Sequence, residues 1–107
     1  MVNGTFNIVH AGHCELFEFA SKYGDLIVGV NSDRYVYAKY KEKSIKQEFR
    51  VKVLESIKYI NKVILFEEDN ACRLLKEIKP NYYIKGPDYL EKDFAEKELC
   101  KNLNINI

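Results

Sequence analysis

Asn3-Gly4-Thr5-Phe6-Asn7-Ile8-Val9-His10-Ala11-Gly12-His13 carries both histidines of the chain, three residues apart. The stretch lies where a short opening strand must turn into the first helix. Such a junction leaves backbone N–H groups and the positive end of the helix dipole facing outward, which suits an anion. Gly4 and Gly12 let the backbone come close to a ligand or a neighbouring element. Two imidazoles at this place can donate hydrogen bonds to phosphate oxygens. The plainer alternative is a loop with two surface histidines. A metal site built on His10, His13 and Cys14 is a third, but two of those residues are adjacent and no second cluster completes it. No metal ligand is therefore assigned.

Outward from this stretch the chain alternates. Cys14 to Tyr23 reads as a helix, with Leu16, Phe17, Ala20 and Tyr23 on one face and Gly24 as its stop. Leu26 to Val30 is a continuous apolar run, the pattern of a strand buried on both faces of a parallel sheet. Asn31-Ser32-Asp33 ends it with turn chemistry. Asp33 to Ala38 predicts a short helix, with Tyr35 and Val36 inward. Lys39 to Lys46, rich in Lys and Glu without periodicity, reads as a loop. Gln47 to Ile60 is the clearest helix, with Phe49, Val53, Leu54, Ile57 and Ile60 inward and Asn61 closing it in a left-handed conformation. Lys62 to Phe66 is the third strand. Asp69 or Asn70 is placed to cap the next helix, whose stripe is Ala71, Leu74, Leu75 and Ile78 and which Pro80 ends. Tyr82 to Ile84 is a fourth strand, running into a Gly-Pro turn at Lys85-Gly86-Pro87-Asp88-Tyr89. Glu91 to Cys100 predicts a helix, and the alternation of Leu103 to Ile107 predicts a fifth strand. A strand–helix alternation of this kind implies a parallel sheet with right-handed crossovers and helices on both faces.

Composition sets bounds. The 107 residues make one domain, 1–107, and a 47% hydrophobic content can fill a modest core. No apolar run is long enough to span a bilayer and no leader pattern opens the chain, so a cytoplasmic protein with no membrane partner is expected. Cys14, Cys72 and Cys100 are an odd, scattered set that reads as reduced thiols. A net charge of +1 offers no general field for nucleic acid. Lysine is used freely and arginine only at Arg34, Arg50 and Arg73. A guanidinium can grip phosphate or carboxylate with two bonds, so each arginine invites a question. Arg50 falls in the first turn of its helix, where the dipole disfavours a cation by less than ~1 kcal/mol when exposed. A phosphate held there would offset that; pairing with Glu48 or a neighbour is the alternative.

The run Gly4-Thr5-Phe6-Asn7, with His10, Gly12 and His13, resembles the signature of the cytidylyltransferase-like nucleotidyltransferases, with Asn7 where that family usually has Asp. The resemblance covers nearly the whole chain. Gly24-Asp25, Val30 to Asp33, Phe66 to Asp69 with Arg73, and Lys85 to Tyr89 are most similar to the nucleotidyltransferase domain of heptose-phosphate adenylyltransferases. Glycerol-3-phosphate cytidylyltransferases come second. The chain looks short at both ends beside the family, with little strand before the motif and no Ser/Thr-rich segment after the fifth strand.

The resemblance implies an α/β, Rossmann-like doubly wound five-stranded parallel sheet. It implies transfer of a nucleoside monophosphate from ATP or CTP to a phosphorylated small-molecule acceptor, with release of pyrophosphate. His10 and His13 would donate to the phosphates in the transition state, with Lys39 and Arg50 also catalytic. Gly4, Thr5, Phe6, Gly12, Lys41, Lys85 and Asp88 would bind the nucleotide. Mg²⁺ would accompany the triphosphate, and a homodimer is expected. A second reading is a binding module that keeps the phosphate turn without turnover.

Overall fold

The structure, a computed structural model, describes residues 1–40, 45–67, 71–84 and 95–107, with backbone alone at 38–40 and 95. Three strands run parallel side by side in the order β1 (Val2–Gly4), β2 (Ile27–Asn31), β3 (Lys62–Phe66). Val2 faces Val28 across the first pair, and Ile27 to Asn31 match Lys62 to Phe66 residue for residue across the second. Parallel neighbours cannot be joined by tight turns, so helices must carry the chain back. α1 (Ala11–Ser21) does so between β1 and β2, and α2 (Asp33–Tyr40) with α3 (Gln47–Glu55) between β2 and β3. α4 (Cys72–Ile78) and α5 (Ala95–Asn102) follow.

The helices cover both faces. On one face Val28 and Val30 of β2 pack with Phe17 and Ala20 of α1 and Leu54 of α3. On the other, Phe66 of β3 packs with Leu74 and Leu75 of α4 and Cys100 of α5, with Ile27 against them. Because side chains alternate along a strand, a strand covered on both sides must be apolar along its length, as β2 is from Ile27 to Val30. The doubly wound α/β architecture follows from these two cores.

Beyond β1 the layer continues in shorter pieces. Ile84 N–H donates to Met1 O at 2.9 Å, and Tyr83 N–H to Asn106 O at 2.7 Å. Tyr82 and Asn106 form an isolated parallel bridge. The five-stranded sheet expected from the sequence is thus three-stranded among the described residues, flanked by two bridged segments. Asn104 stands at φ 59°, in the left-handed region, so only Ile105 to Ile107 remain to run alongside. The chain nonetheless places β2 on one side of β1 and the Tyr82 segment on the other. That reversal is the kind of point where open α/β sheets leave a crevice at the carboxyl ends of their strands.

Several boundaries differ from the sequence reading. α1 begins at Ala11 rather than Cys14, which puts His10 at its N-cap and His13 in its first turn. α2 reaches Tyr40, so Lys39 belongs to a helix and not to a loop. α3 stops at Glu55, and its inward residues are Arg50 and Leu54; Phe49 and Val53 are exposed. Tyr23 is exposed as well and packs its ring against Phe19 and Tyr82. Asn61 does not close α3: its Oδ1 accepts Leu26 N–H at 2.8 Å and fixes the start of β2. The expected capping residues of α4, Asp69 and Asn70, lie outside the described residues. The three cysteines are free thiols. No described helix is long and apolar enough to cross a membrane.

Candidate functional site

β1 ends at Gly4, and the turn from Thr5 to His10 leads directly into α1. Phe6 sits at φ 52°, a left-handed conformation that a side chain disfavours by ~1–2 kcal/mol. Its ring compensates by burial. It meets Phe17 with centroids 5.5 Å apart and His13 edge-on at 5.4 Å. The same ring lies over Gly4, where an added Cβ would come within 3.2 Å of it.

His10 is the N-cap of α1, in extended backbone conformation at φ −132° and ψ −178°. Its Nδ1 accepts Gly12 N–H at 3.0 Å. In return His13 Nδ1 accepts His10 N–H at 3.2 Å. This is a reciprocal capping box in which two imidazoles take the parts usually played by Ser or Thr and Glu or Gln. Gly12 is required by that geometry, since a Cβ there would stand 2.9 Å from His10 Cε1.

The cap also settles the tautomers. An Nδ1 that accepts a hydrogen bond carries no proton, so in the neutral ring the proton is on Nε2. Each histidine therefore offers one Nε2–H donor. The rings lie 4.1 Å apart at 32°, so the two donors share one neighbourhood. His10 is exposed and His13 half-buried. Burial first, and the neighbouring His10 second, hold the His13 pKa below its ordinary 6.5.

α1 has no acidic residue in its first turn. The neighbouring helices are treated differently. α3 is capped from outside by Asp33, whose Oδ2 accepts Gln47 N–H at 3.0 Å while Gln47 Oε1 accepts Asp33 N–H at 3.0 Å. At α4, Glu96 of α5 accepts Ala71 N–H at 2.9 Å. Carboxylates thus neutralise those two N-termini, while the histidine turn keeps its positive end for something else.

Arg50, expected from the sequence to brace a phosphate or to pair with Glu48 or a neighbour, holds this turn by bonds to protein oxygens. It is 1% accessible. Its Nε donates to Ile45 O, one terminal nitrogen to both Thr5 O and Asn31 O, and the other to Asp33 Oδ1, all at 2.7 Å. Four of the five guanidinium N–H groups are therefore placed on protein oxygens. Arg50 is a positioning residue: it ties the end of β1 to the end of β2. Asn7 adds a second tie, with its Oδ1 accepting Ile45 N–H at 2.7 Å. Sequence reasoning did not foresee the part played by Asp33. The signal available was an acid at the end of a buried strand, facing a chain with few arginines.

The structure brings together Gly4, Thr5, Phe6, His10, Gly12, His13 and Arg50. Lys39 lies in the last turn of α2. Lys41, Lys85 and Asp88 lie outside the described residues. Among the described residues no cluster of three or more metal-binding side chains exists. Arg73 of α4 pairs with Glu77 at 3.2 Å, one turn on. A hollow of about 360 Å³, lined by Tyr23, Leu26, Ile78 and Tyr82 among others, opens at the amino ends of the strands. It is at the opposite end of the sheet from the histidines.

A parallel sheet with helices on both faces and a histidine-capped helix at the carboxyl end of its first strand defines a doubly wound α/β fold. The family model for cytidylyltransferase-like proteins matches residues 1–106, and the chain belongs to that family. It is 40% identical to the FAD synthase of Archaeoglobus fulgidus, across all of this chain and 80% of that one. It is 38% identical to the bifunctional protein HldE of Nitratiruptor sp., across 96% of this chain but only 23% of that protein. The chain therefore spans about a quarter of the length of the HldE proteins that it matches. The crystal structure of the lipopolysaccharide core biosynthesis protein from Thermoplasma volcanium superposes with a TM-score of 0.78 at 26% identity, covering all of this chain and 88% of that one. The cytidylyltransferase-like family and the α/β fold stand on these likenesses together.

Proposed function

We propose that the protein is an adenylyltransferase acting on a phosphorylated small molecule. An acceptor phosphate oxygen attacks the α-phosphorus of ATP in line. A new phosphoanhydride bond forms, the bond between the α- and β-phosphates breaks, and pyrophosphate leaves. The chain does no covalent work; its contribution is to position the phosphates and neutralise developing charge. The observation that carries this reading is the pair of Nε2–H donors at an α1 N-terminus free of first-turn acid. They suit the oxygens of a transferring phosphoryl group. The N–H dipoles of α1 add to them, and Arg50 keeps the Thr5 backbone in place beneath. Mg²⁺ enters bound to the triphosphate, held by phosphate oxygens and water. Lys39, Lys41, Lys85 and Asp88 are assigned to the substrates by position along the chain.

For the acceptor, the HldE likeness and the Lys85 to Tyr89 motif favour a sugar phosphate of the heptose type. The FAD synthase likeness favours flavin mononucleotide as a second reading, because it spans most of that protein. With either acceptor the proposed donor is ATP; CTP with glycerol 3-phosphate is the remaining alternative. The test is pyrophosphate release with ATP and CTP in turn, against heptose 1-phosphate, flavin mononucleotide and glycerol 3-phosphate, with Mg²⁺. Turnover is expected with ATP and one of the first two acceptors. A His13→Ala protein that is folded is expected to lose at least ~100-fold in turnover, the scale of one preorganised transition-state donor. Full turnover by that variant would overturn the assignment. Nucleotide binding without turnover for any pair would instead support a binding module. Gel filtration is expected to show a homodimer.

A further inference from the structure

The capping box at α1 is unusual in one chemical respect: both of its side-chain acceptors are imidazole nitrogens, which can take up a proton. Gly12 N–H is held by His10 Nδ1 and His10 N–H by His13 Nδ1. An imidazolium carries a proton on both nitrogens and can accept nothing. Protonation and capping therefore compete for the same atoms. With the rings 4.1 Å apart, a second proton is opposed by the charge of the first.

We propose that this pair is a proton-operated latch: one proton taken from solvent forms an Nδ1–H bond, breaks one N–H···Nδ1 cap, and converts a neutral closed turn into a cationic open one that binds anions more tightly. Above the titration, two backbone N–H groups are occupied by imidazole nitrogens. Below it, one is released, the ring becomes a second-site donor with full charge, and the α1 dipole is uncovered. All three changes favour an anion.

The surroundings leave the pair free to act. Phe6 from the turn and Phe17 from α1 face His13 with carbon. Among the described residues, the titratable neighbours in sequence are Cys14 and Glu15 on α1 itself. The charge supplied by α3, Arg50, meets the turn only at Thr5 O and is balanced by Asp33. Burial first, and the neighbouring His10 second, hold the His13 pKa below 6.5.

The latch itself is independent of the proposed reaction; its effect on anions rests on the phosphate reading above. Two measurements separate them. In the first, imidazole nitrogen and backbone amide NMR shifts are followed from about pH 8 to about pH 5 with no ligand. Both Nδ1 atoms are expected to be unprotonated at the upper end. The Gly12 amide proton is expected to lose its hydrogen-bonded shift with the same midpoint as the ring that titrates first. In His13→Gln, where the side chain still caps but cannot titrate, the His10 amide is expected to stay bonded throughout. An Nδ1–H tautomer at the upper end, or amides that ignore the ring titration, would overturn the latch. In the second, sulfate is titrated calorimetrically in two buffers of different ionisation enthalpy, because sulfate keeps its charge over this range. Binding is expected to take up a fraction of one proton, with affinity rising up to about tenfold per pH unit of acidification through the midpoint. Binding without proton uptake would overturn the coupling. Absence of binding at every pH would overturn the phosphate reading and the coupling together, while the amide titration still decides the latch.

Discussion

Arg50 and the two histidines show what a residue-by-residue reading can and cannot reach. The histidine pair was legible because the residue type carries its chemistry wherever it stands, and the spacing of three puts both rings at one helix start. The role of Arg50 was not legible. Three of its acceptors are the carbonyls of Thr5, Asn31 and Ile45, which leave no trace in side-chain pattern. All of these converge on one buried point. Replacing it by lysine removes the planar fork while keeping charge. Arg50→Lys is expected to destabilise the fold by ~1–3 kcal/mol in urea unfolding, because at least two buried carbonyls lose their donors. At Gly12, an alanine Cβ would displace the His10 ring. Gly12→Ala is expected to weaken sulfate binding with little change in urea midpoint, since the helix gains what its cap loses. His13 adds a pH term of known sign. Its folded pKa lies below 6.5, so the unfolded chain binds protons more readily as pH falls past that value. Stability is full above that point and declines as pH drops towards the folded pKa. His13→Gln is expected to flatten this slope when urea midpoints are compared from about pH 7 to about pH 5.5.

At the scale of elements, periodicity located each helix among the described residues and misjudged their faces and ends. α3 was expected to bury Phe49 and Val53, but the position that faces the core is that of Arg50, one residue on. A charged residue on an otherwise apolar stripe pulls a sequence reading round by a whole residue, because the reader places it in water. Caps show a related limit. The eye looks for them next to the helix, and here two come from afar: Asp33 closes α3 and Glu96 closes α4. Glu96 is 6% accessible although it is a carboxylate, which its bond to Ala71 explains. Glu96→Ala is expected to cost ~1–2 kcal/mol and to speed amide exchange in α4 more than in α1. Equal effects in both helices would mean that Glu96 acts on the fold at large.

For the molecule as a whole, the α/β class was readable from the order of apolar runs alone. The width of the sheet was not. A strand is counted by its partners, and the bridge between Tyr82 and Asn106 is one residue long on each side. A chain this size is sensitive to any ligand that binds only the native state. At a nucleotide concentration one hundred times Kd, ATP with Mg²⁺ is expected to add ~2.7 kcal/mol and to raise Tm by upwards of about 10 °C. No shift with ATP or CTP would remove the nucleotide from the proposal.

The buried guanidinium of Arg50 also bears on the order in which the molecule assembles. A cation cannot leave water until acceptors are ready to receive it. Ile45 is five residues away, but Thr5 and Asn31 lie 45 and 19 residues from Arg50 in the chain. Contacts of that longer range are slow to form. The turn that carries the histidines is accordingly expected to set late in folding, after the strands and helices that it joins.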